Sequence, residues 1–471
     1  MRIIVVGMGL RAVSVLERLQ VHMPEADVVA YVDPDPYQIE RLKNHEAINA
    51  YKTLEDMLAG EEADLLFVSS PNHMHLQHIR LGLEAGIRIF AEKPVVISMS
   101  ETMELAELLY RYGADQVLVG LVLRYAQHVR DLRKAQAARQ LGSVVSIEAN
   151  EHIAPYHGAF FMRDWRRHSK YSGGFMLEKC CHDLDIYNMV TGSRPSRVAS
   201  FGGRKSFVPS NAPNEATDTK VYHVKESIWE ATEDPFRSDG DIVDYQTAIL
   251  EYESGATMAF HTNINVPDEH RRFCVIGTKG MAEGDFVRGY LKVTDAHTRS
   301  TVLEEDYTKS IDRPGAHYGA DDLMCQDLCA YLRGEMEALP VSVVDALEAG
   351  VAALALDQAR TTGQVVDLTS YWQKFDSFDL RGTAATKTKK RRKQYSGQLG
   401  NNARNQGAAT NLDKLGAGNW GLNKRSARLG SQFRSYRNLV LRRWLILLYR
   451  RYSLQSVACN LHAANARRAL N

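Results

Sequence analysis

The sequence predicts an α/β protein with two parts, a doubly wound parallel sheet followed by an α+β region with a large, mostly antiparallel open sheet. Over residues 1–122, short β-rich runs alternate with amphipathic stretches, and this alternation is typical of strand–helix–strand units in a parallel sheet. From residue 143 onward, longer alternating strands are separated by turns such as ESGA and GTKG, which favours antiparallel pairing. Two late helical stretches, each followed by glycine, close the predicted body.

Each element of the first part follows from a local pattern. Short apolar runs predict buried strands, because parallel strands covered on both faces read as nearly continuous apolar segments. These runs lie at 3–7, 27–33, 64–70, 87–92 and 116–121. The stretches LRAVSVLERLQ and SETMELAELLYRY carry apolar residues at helical spacing, so they predict covering helices.

Length and composition set the broad class. A chain of 471 residues is too long for one ordinary core, so we expect separate domains at 1–122 and 123–375. Its 44% hydrophobic and 24% charged residues are typical of a soluble globular protein. The cysteines include no CxxC pair, which predicts no metal site and favours a reducing cytoplasm. No signal peptide is expected before the first strand, and no apolar run reaches the ~18 residues of a membrane span.

The segment 382–471 differs from the rest of the chain. It holds 19 Lys and Arg residues and a single acid, Asp413, and its weak periodicity predicts disorder. The run KTKKRRK could bind nucleic-acid phosphates, and LVLRRWLILLYRRY could lie on an anionic membrane surface. No recognised nucleic-acid motif accompanies the basic run, so neither partner is predicted. A segment that has almost no Asp or Glu residues from residue 382 onward also resembles the product of a frame-shifted or read-through translation.

The stretch VVGMGLRA places two glycines directly after the first strand and at the start of a helix. Gly7 permits a tight turn, Gly9 lets a pyrophosphate approach the backbone and helix N-terminus, and small Ala12 allows close packing. Asp33 ends the second strand, where its carboxylate can accept ribose hydroxyls and repel a 2′-phosphate, so NAD is predicted over NADP. A structural turn without a ligand is the alternative. Two further residues complete the predicted cofactor turn: Leu10 and Arg11.

Several further stretches occur in a characteristic order. They are SSPNHMH (69–75), AEKP (91–94), DWR (164–166), GGFMLEKCCHDLDIYNMVTG (173–192) and HYGADDL (317–323). With these motifs the chain resembles the glucose–fructose oxidoreductase / inositol dehydrogenase (Gfo/Idh/MocA) family over about residues 1–370. The resemblance implies an N-terminal Rossmann domain and a C-terminal domain whose open sheet supports substrate binding and assembly into a homodimer or homotetramer.

The resemblance also implies roles for individual residues. Lys93 and His182 match the catalytic lysine and histidine of the family, and Glu178 stands where many members have aspartate. Arg124 matches a residue that lines the cleft, and His317 could reach the cleft from the far end of the second domain. Asn72 and His75 match the loop that borders the nicotinamide ribose. Four neighbouring residues are assigned to the cofactor with them: Ser70, Pro71, Glu92 and Lys93. Glu92 is expected to support Lys93 or the cofactor loop rather than to transfer a proton.

The chemistry of these side chains supports the assignment. Removing hydride from a C–H bond requires deprotonation of the adjacent hydroxyl, and an imidazole such as His182 suits that role. The ammonium of Lys93 would stabilise the alkoxide. Glu178 lies four residues before His182 on one predicted helix, so it could orient the ring. Asp185 on the same helix and Lys179, as a second cation, are assigned to substrate. A surface or capping histidine is the alternative.

A substrate wall is predicted just before this helix. An aromatic face and a forked guanidinium suit polyols or acidic sugars, so Trp165 and Arg166 are assigned to substrate, with a packing tryptophan as the alternative. The sequence therefore predicts an NAD-dependent oxidoreductase acting on a secondary hydroxyl of a sugar, inositol or related polyol. Two rivals remain open, a redox-assisted glycosidase or lyase and a non-catalytic cofactor-sensing regulator.

Overall fold

A computed structural model describes residues 1–214, 219–226, 229–309 and 317–381. The predicted tail at 382–471 lies outside these described residues. Among them, two sheets form the framework, and the buried residues of both belong to one continuous hydrophobic core.

The first sheet has six strands in the order β3-β2-β1-β4-β5-β6, all parallel to their neighbours. Its strands are β1 (Arg2–Val6), β2 (Asp27–Val32), β3 (Asn49–Tyr51), β4 (Leu65–Val68), β5 (Arg88–Ala91) and β6 (Val117–Val119). This is the doubly wound topology that the sequence predicts, with one additional strand. The short edge strand β3 escapes prediction because Asn49 and Ala50 are exposed and carry no apolar pattern.

Five α-helices precede the second sheet, and the two that the sequence predicts begin and end within two residues of the predicted stretches. They are α1 (Leu10–His22), α2 (Leu54–Gly60), α3 (His75–Glu84), α4 (Met99–Tyr112) and α5 (Gln127–Ala137). The side chain of Ser98 accepts a hydrogen bond from the backbone N–H of Glu101 at the start of α4, and this cap satisfies a free donor of the first turn. Gly9 precedes α1 and offers no side chain for such a cap.

The second sheet has nine strands in the order β14-β13-β12-β11-β7-β10-β9-β8-β15. Only β7 and β10 are parallel neighbours, so the expectation of a mostly antiparallel sheet is confirmed for the described residues. The strands are β7 (Val144–His152), β8 (Pro195–Gly203), β9 (Tyr245–Tyr252), β10 (Thr257–Asn263), β11 (Arg272–Gly277), β12 (Gly280–Asp285), β13 (Tyr290–Asp295), β14 (Thr301–Asp306) and β15 (Val366–Asp367).

The remaining helices connect this sheet to the first one. They are α6 (Pro155–Arg163), α7 (Ser169–Ser172), α8 (Phe175–Thr191), α9 (Ala320–Leu332), α10 (Val343–Thr362) and α11 (Thr369–Asp376). Helix α8 is buried along most of its length and packs against α10 and β7. Helix α9 returns to the first part and packs against α1. Two distant segments, α8 and the start of α9, therefore meet the carboxyl ends of the parallel strands.

Candidate active site

A cleft of about 470 Å³ opens where the parallel strands end. One wall comes from the turn after β1 and the loops after β4, β5 and β6, and the other from α6, α8 and residues 317–318. Crevices outside the carboxyl ends of parallel strands are the usual ligand sites of open α/β sheets. The structure thus brings the separate sequence motifs to one place.

The glycine turn has the geometry of a pyrophosphate site. Gly7 has φ +86°, and a Cβ there would lie 2.3 Å from the backbone nitrogen of Ser70, so only glycine fits. A Cβ at Gly9 would meet nothing within 4 Å, which leaves open space before the N-terminus of α1. The carboxylate of Asp33 accepts hydrogen bonds from Met8 N–H at 2.7 Å and Asp35 N–H at 2.8 Å. These features fit NAD, with its phosphates against the free N–H groups of α1.

The side chains of the turn take different directions. Ala12 is buried against the sheet, while Leu10 is exposed. Arg11 lines the cleft, where its guanidinium contacts Glu92 at 2.8 Å and Asp321 at 2.5 Å. The sequence assigned Arg11 to the cofactor turn by position alone. Its side chain additionally joins the loop after β5 to helix α9.

The loop after β4 is fastened to the loop after β5 by a histidine. His75 is buried, and its ring nitrogens lie 2.9 Å from the carbonyl oxygen of Pro94 and 2.7 Å from that of Ser70. Pro71 precedes the short 3-10 turn Asn72–Met74. The loop predicted to border the nicotinamide is therefore held in place by contacts between the His75 side chain and backbone carbonyl groups.

A charged network surrounds Glu178 on α8. Its carboxylate accepts hydrogen bonds from Asn72 at 2.5 Å and Arg166 at 3.0 Å, and it lies 3.5 Å from the ammonium of Lys93. That ammonium also donates to the backbone carbonyl of Glu178 at 2.6 Å. Burial alone would raise the pKa of Glu178, but the positive charges of Lys93 and Arg166 outweigh it and lower the pKa. Glu178 is thus an anion that positions two cations.

His182 lines the same cleft but lacks the expected orienting contact. Within the described residues its Nδ1 is buried without a hydrogen-bond partner. The oxygens of Glu178 are engaged by Asn72, Lys93 and Arg166, so the predicted bond from Glu178 to the imidazole is not formed. Burial, followed by the charge of Lys93, lowers the pKa of His182 well below its ordinary value. The ring is accordingly neutral near pH 7.

A second imidazole stands beside it. The rings of His182 and His317 have centroids 5.9 Å apart, and Nδ1 of His317 lies 2.9 Å from a carboxylate oxygen of Asp321. Arg11 binds the other oxygen of Asp321. Burial opposes ionisation of Asp321, but Arg11 and His317 hold its pKa well below the usual range. Sequence reasoning found His317 but missed Asp321, although Asp321 stands four residues later at helical spacing.

Three residues assigned to substrate do not line the cleft. Arg124 and Asp185 form a buried bidentate ion pair, with contacts of 2.6 and 2.7 Å. Trp165 is buried beneath the guanidinium of Arg166, which lies 4.2 Å from its ring centroid. The assignment of these three residues to substrate binding is therefore wrong. Arg124 and Asp185 pair with each other because a buried guanidinium needs a carboxylate as its counter-ion, and Trp165 packs behind the cleft wall. Arg166 itself lines the cleft.

The wall opposite the glycine turn was largely missed. Lys179 lines it and contacts Glu151 at 3.1 Å. Five further lining residues come from α6 and from two later segments: Tyr156, His157, Phe160, Lys225 and Glu269. None belongs to a motif, so the sequence carried no local signal for them. They give this end of the cleft an aromatic surface with added charge.

Comparison with known proteins assigns the class and then the family. A model described as an oxidoreductase family with an NAD-binding Rossmann fold matches residues 1–121. The GFO/IDH/MocA C-terminal domain model matches residues 129–283. The chain belongs to the Gfo/Idh/MocA oxidoreductase family, and the predicted NAD-binding Rossmann fold is confirmed.

Individual relatives are distant. A Bacillus subtilis (strain 168) protein named as an oxidoreductase, YteT, is 22% identical over 69% of this chain and 88% of its own length. The 2,7-anhydro-N-acetylneuraminate hydratase of Mediterraneibacter gnavus is 23% identical over 65% of this chain and 73% of its own length. Scyllo-inositol dehydrogenase from Lactobacillus casei, solved with NAD(H) and scyllo-inositol, superposes with a TM-score of 0.59 at 19% identity. That match covers 78% of this chain and 99% of the other and shows the shared fold.

No group of three or more His, Cys, Asp or Glu side chains among the described residues could hold a metal ion. No helix among these residues is long and apolar enough to cross a membrane.

Proposed function

We propose that the protein is an NAD-dependent oxidoreductase that transfers a hydride between nicotinamide and a secondary hydroxyl of a sugar, inositol or related polyol. One observation carries the proposal: Lys93, Glu178 and His182 line one cleft, together with Arg11 from the start of α1, directly after the glycine turn. Lys93 follows β5, whereas Glu178 and His182 lie on α8, far away in sequence. A base, a cation and a cofactor turn at one sheet edge are what alcohol oxidation requires.

Each side chain has a defined task. When bound, NAD supplies the hydride acceptor. His182 is neutral because its pKa is lowered, so it accepts the hydroxyl proton. Lys93 stabilises the negative charge that develops on the substrate oxygen. Glu178 holds Lys93 and Arg166 in place.

The relatives support this substrate class. The structural neighbour solved with scyllo-inositol is an inositol dehydrogenase, and the cleft of about 470 Å³ here is of the size typical of small-molecule sites. Arg166 and Lys179 line it beside aromatic rings, and such a surface suits a hydroxylated ring.

The test is a screen of sugars and inositols with NAD, following the absorbance of the reduced nicotinamide. His182→Ala should reduce kcat/KM on every active substrate by about a hundredfold or more, as for loss of a general base. His297→Ala, at an exposed position, is the matched control. Unchanged turnover in His182→Ala would disprove the assigned mechanism.

A redox-neutral lyase or hydratase is the second candidate. The Mediterraneibacter gnavus relative, named as a hydratase, favours it, and two imidazoles at His182 and His317 offer more than one proton-transfer group. In that case the protein would convert a glycoside or anhydrosugar without net NADH formation. Net NADH release with free sugars distinguishes the dehydrogenase from this alternative.

We also propose the predicted division at 1–122 and 123–375, a homodimer or homotetramer, and a cytoplasmic location. Phe201 on β8 and Ile249 on β9 are strongly exposed, and exposed apolar side chains on an open sheet favour association. All five cysteines of the described residues are free thiols, which suits a reducing compartment. Light scattering at several concentrations would test the assembly.

A further inference from the structure

The cations of the cleft are paired with carboxylates, with one exception among the described residues. Five have an ion-pair partner on the protein: Arg11, Lys93, Arg166, Lys179 and Arg271. Lys225 lines the same cleft and forms no ion pair within the described residues. A half-buried ammonium without a counter-ion is unfavourable in the free protein. Its position therefore favours a ligand that forms a direct ion pair, since Glu269 acts on Lys225 as a nearby charge but forms no ion pair with it.

The surroundings of Lys225 hold its ammonium at the cleft wall. Its Nζ lies 5.6 Å from the ring centroids of Tyr156 and of Phe160, and cation–π attraction partly offsets lost hydration. Burial and the nearby charge of Lys179 lower its pKa to about 8. The opposing charge of Glu269 raises this pKa, and Glu269 also interacts with the hydroxyl of Tyr156. Lys225 thus remains a cation near pH 7 and faces an aromatic surface.

This end of the cleft is continuous with the catalytic end. His157 lines the same cleft, and the charges of Lys179, Lys225 and Lys93 all act to lower its pKa, after the larger effect of burial. Lys225 and Lys93 therefore line one cavity, which a single ligand can share.

We propose that the substrate is a sugar or cyclitol acid and that Lys225 binds its carboxylate. The proposal rests on the proposed function and narrows its substrate class. A single unpaired ammonium matches one negative charge. A phosphate monoester carries about −1.5 to −2 charges near pH 7, and the neighbouring carboxylate of Glu269 would repel that larger charge. The carboxylate is thus favoured over phosphate, and the rings of Tyr156 and Phe160 would contact the apolar face of the sugar.

The test compares binding of hexuronates with binding of the corresponding hexoses in the presence of NADH, by calorimetry. Wild-type protein should bind the hexuronate at least about tenfold more tightly, as expected for a hydrogen bond between charged groups. Lys225→Met should remove this preference while leaving hexose binding unchanged, and Lys225→Arg should restore part of it. Lys205→Met is the matched control, since Lys205 is exposed and lies 5.9 Å from the ring of Tyr245, outside the cleft.

Three results would overturn the proposal. They are equal affinity of the wild type for hexuronate and hexose, an equal loss in Lys225→Met and Lys205→Met, and tighter binding of hexose phosphates than of hexuronates. The binding readout separates this proposal from the proposed function. If hexuronates bind through Lys225 but no sugar reduces NAD, the function fails and the anion site stands. If neutral sugars are oxidised without a preference for acids, the anion site fails and the function stands.

Discussion

Nδ1 of His317 lies 2.9 Å from Oδ2 of Asp321, and the other oxygen of that carboxylate is bound by Arg11 at 2.5 Å. An ionised carboxylate only accepts hydrogen bonds, so Nδ1 of His317 must donate and the lone pair lies on Nε2. His317 lines the cleft beside His182. The structure therefore fixes the tautomer of the second imidazole, while His182 lacks such a partner within the described residues.

Asp321→Asn should impair turnover by removing this fixed orientation. An asparagine amide can either accept or donate, so the His317 tautomer would no longer be set. We expect kcat/KM to fall by about tenfold or more with a changed pH profile, because a positioned imidazole contributes through its protonation state. The matched control is Asp322→Asn, at the adjacent, exposed acid that contacts His22. An unchanged pH profile in Asp321→Asn would mean that His317 takes no part in proton transfer.

Local patterns predicted much of the fold and part of the site. The glycine turn after β1 and the end of β5 just before Lys93 could be predicted because both depend on residues that are neighbours in sequence. The ion pair between Arg124 and Asp185, by contrast, joins residues 61 positions apart, and no local pattern shows which distant partner a charge selects. For the same reason Lys225, on a segment without strong periodicity, was not recognised.

Lys93→Met should move the acid limb of activity to higher pH. After burial, the charge of Lys93 is the next cause that lowers the pKa of His182. Removing the charge of Lys93 should raise the pKa of His182. The imidazole then becomes protonated, and unable to accept a proton, at a higher pH than in the wild type. NMR titration of the histidine ring protons measures the change directly. Turnover should also fall by about a hundredfold or more through lost stabilisation of the alkoxide.

The control for this prediction is Lys52→Met, at an exposed position outside the cleft. It should leave both the titration and the pH profile as in the wild type. A downward shift of the His182 pKa in Lys93→Met would contradict the electrostatic role of Lys93.

Glu178→Gln should destabilise the protein as well as inactivate it. The substitution leaves Lys93 and Arg166 without their shared anion, and loss of one partner of a buried pair reduces the free energy of unfolding by about 3 kcal/mol. Glu178→Asp, which keeps the charge on a shorter side chain, should lose less. Urea unfolding at neutral pH would measure both variants, with Glu62→Gln as an exposed control.

The sign of the pH dependence follows from the lowered pKa of Glu178. A carboxyl group whose pKa is lower in the folded state stabilises the protein above its unfolded pKa, and this contribution disappears as pH falls through the folded value. The difference in unfolding free energy between wild type and Glu178→Gln should therefore become smaller as the pH falls below 4.5, the ordinary pKa of a glutamate side chain. A difference independent of pH would show that packing, rather than charge, explains the loss.

Asp33→Asn should relax the preference for NAD over NADP without dismantling the glycine turn. The N–H groups of Met8 and Asp35 donate to different oxygens of Asp33, at 2.7 and 2.8 Å. The single oxygen of asparagine therefore keeps one of these bonds and loses the other. The negative charge that repels a 2′-phosphate is removed, so the ratio of kcat/KM for NAD to that for NADP should fall by about tenfold or more. Asp35→Asn is the exposed neighbouring control. Equal ratios in wild type and Asp33→Asn would place the discriminating charge elsewhere in the cofactor site.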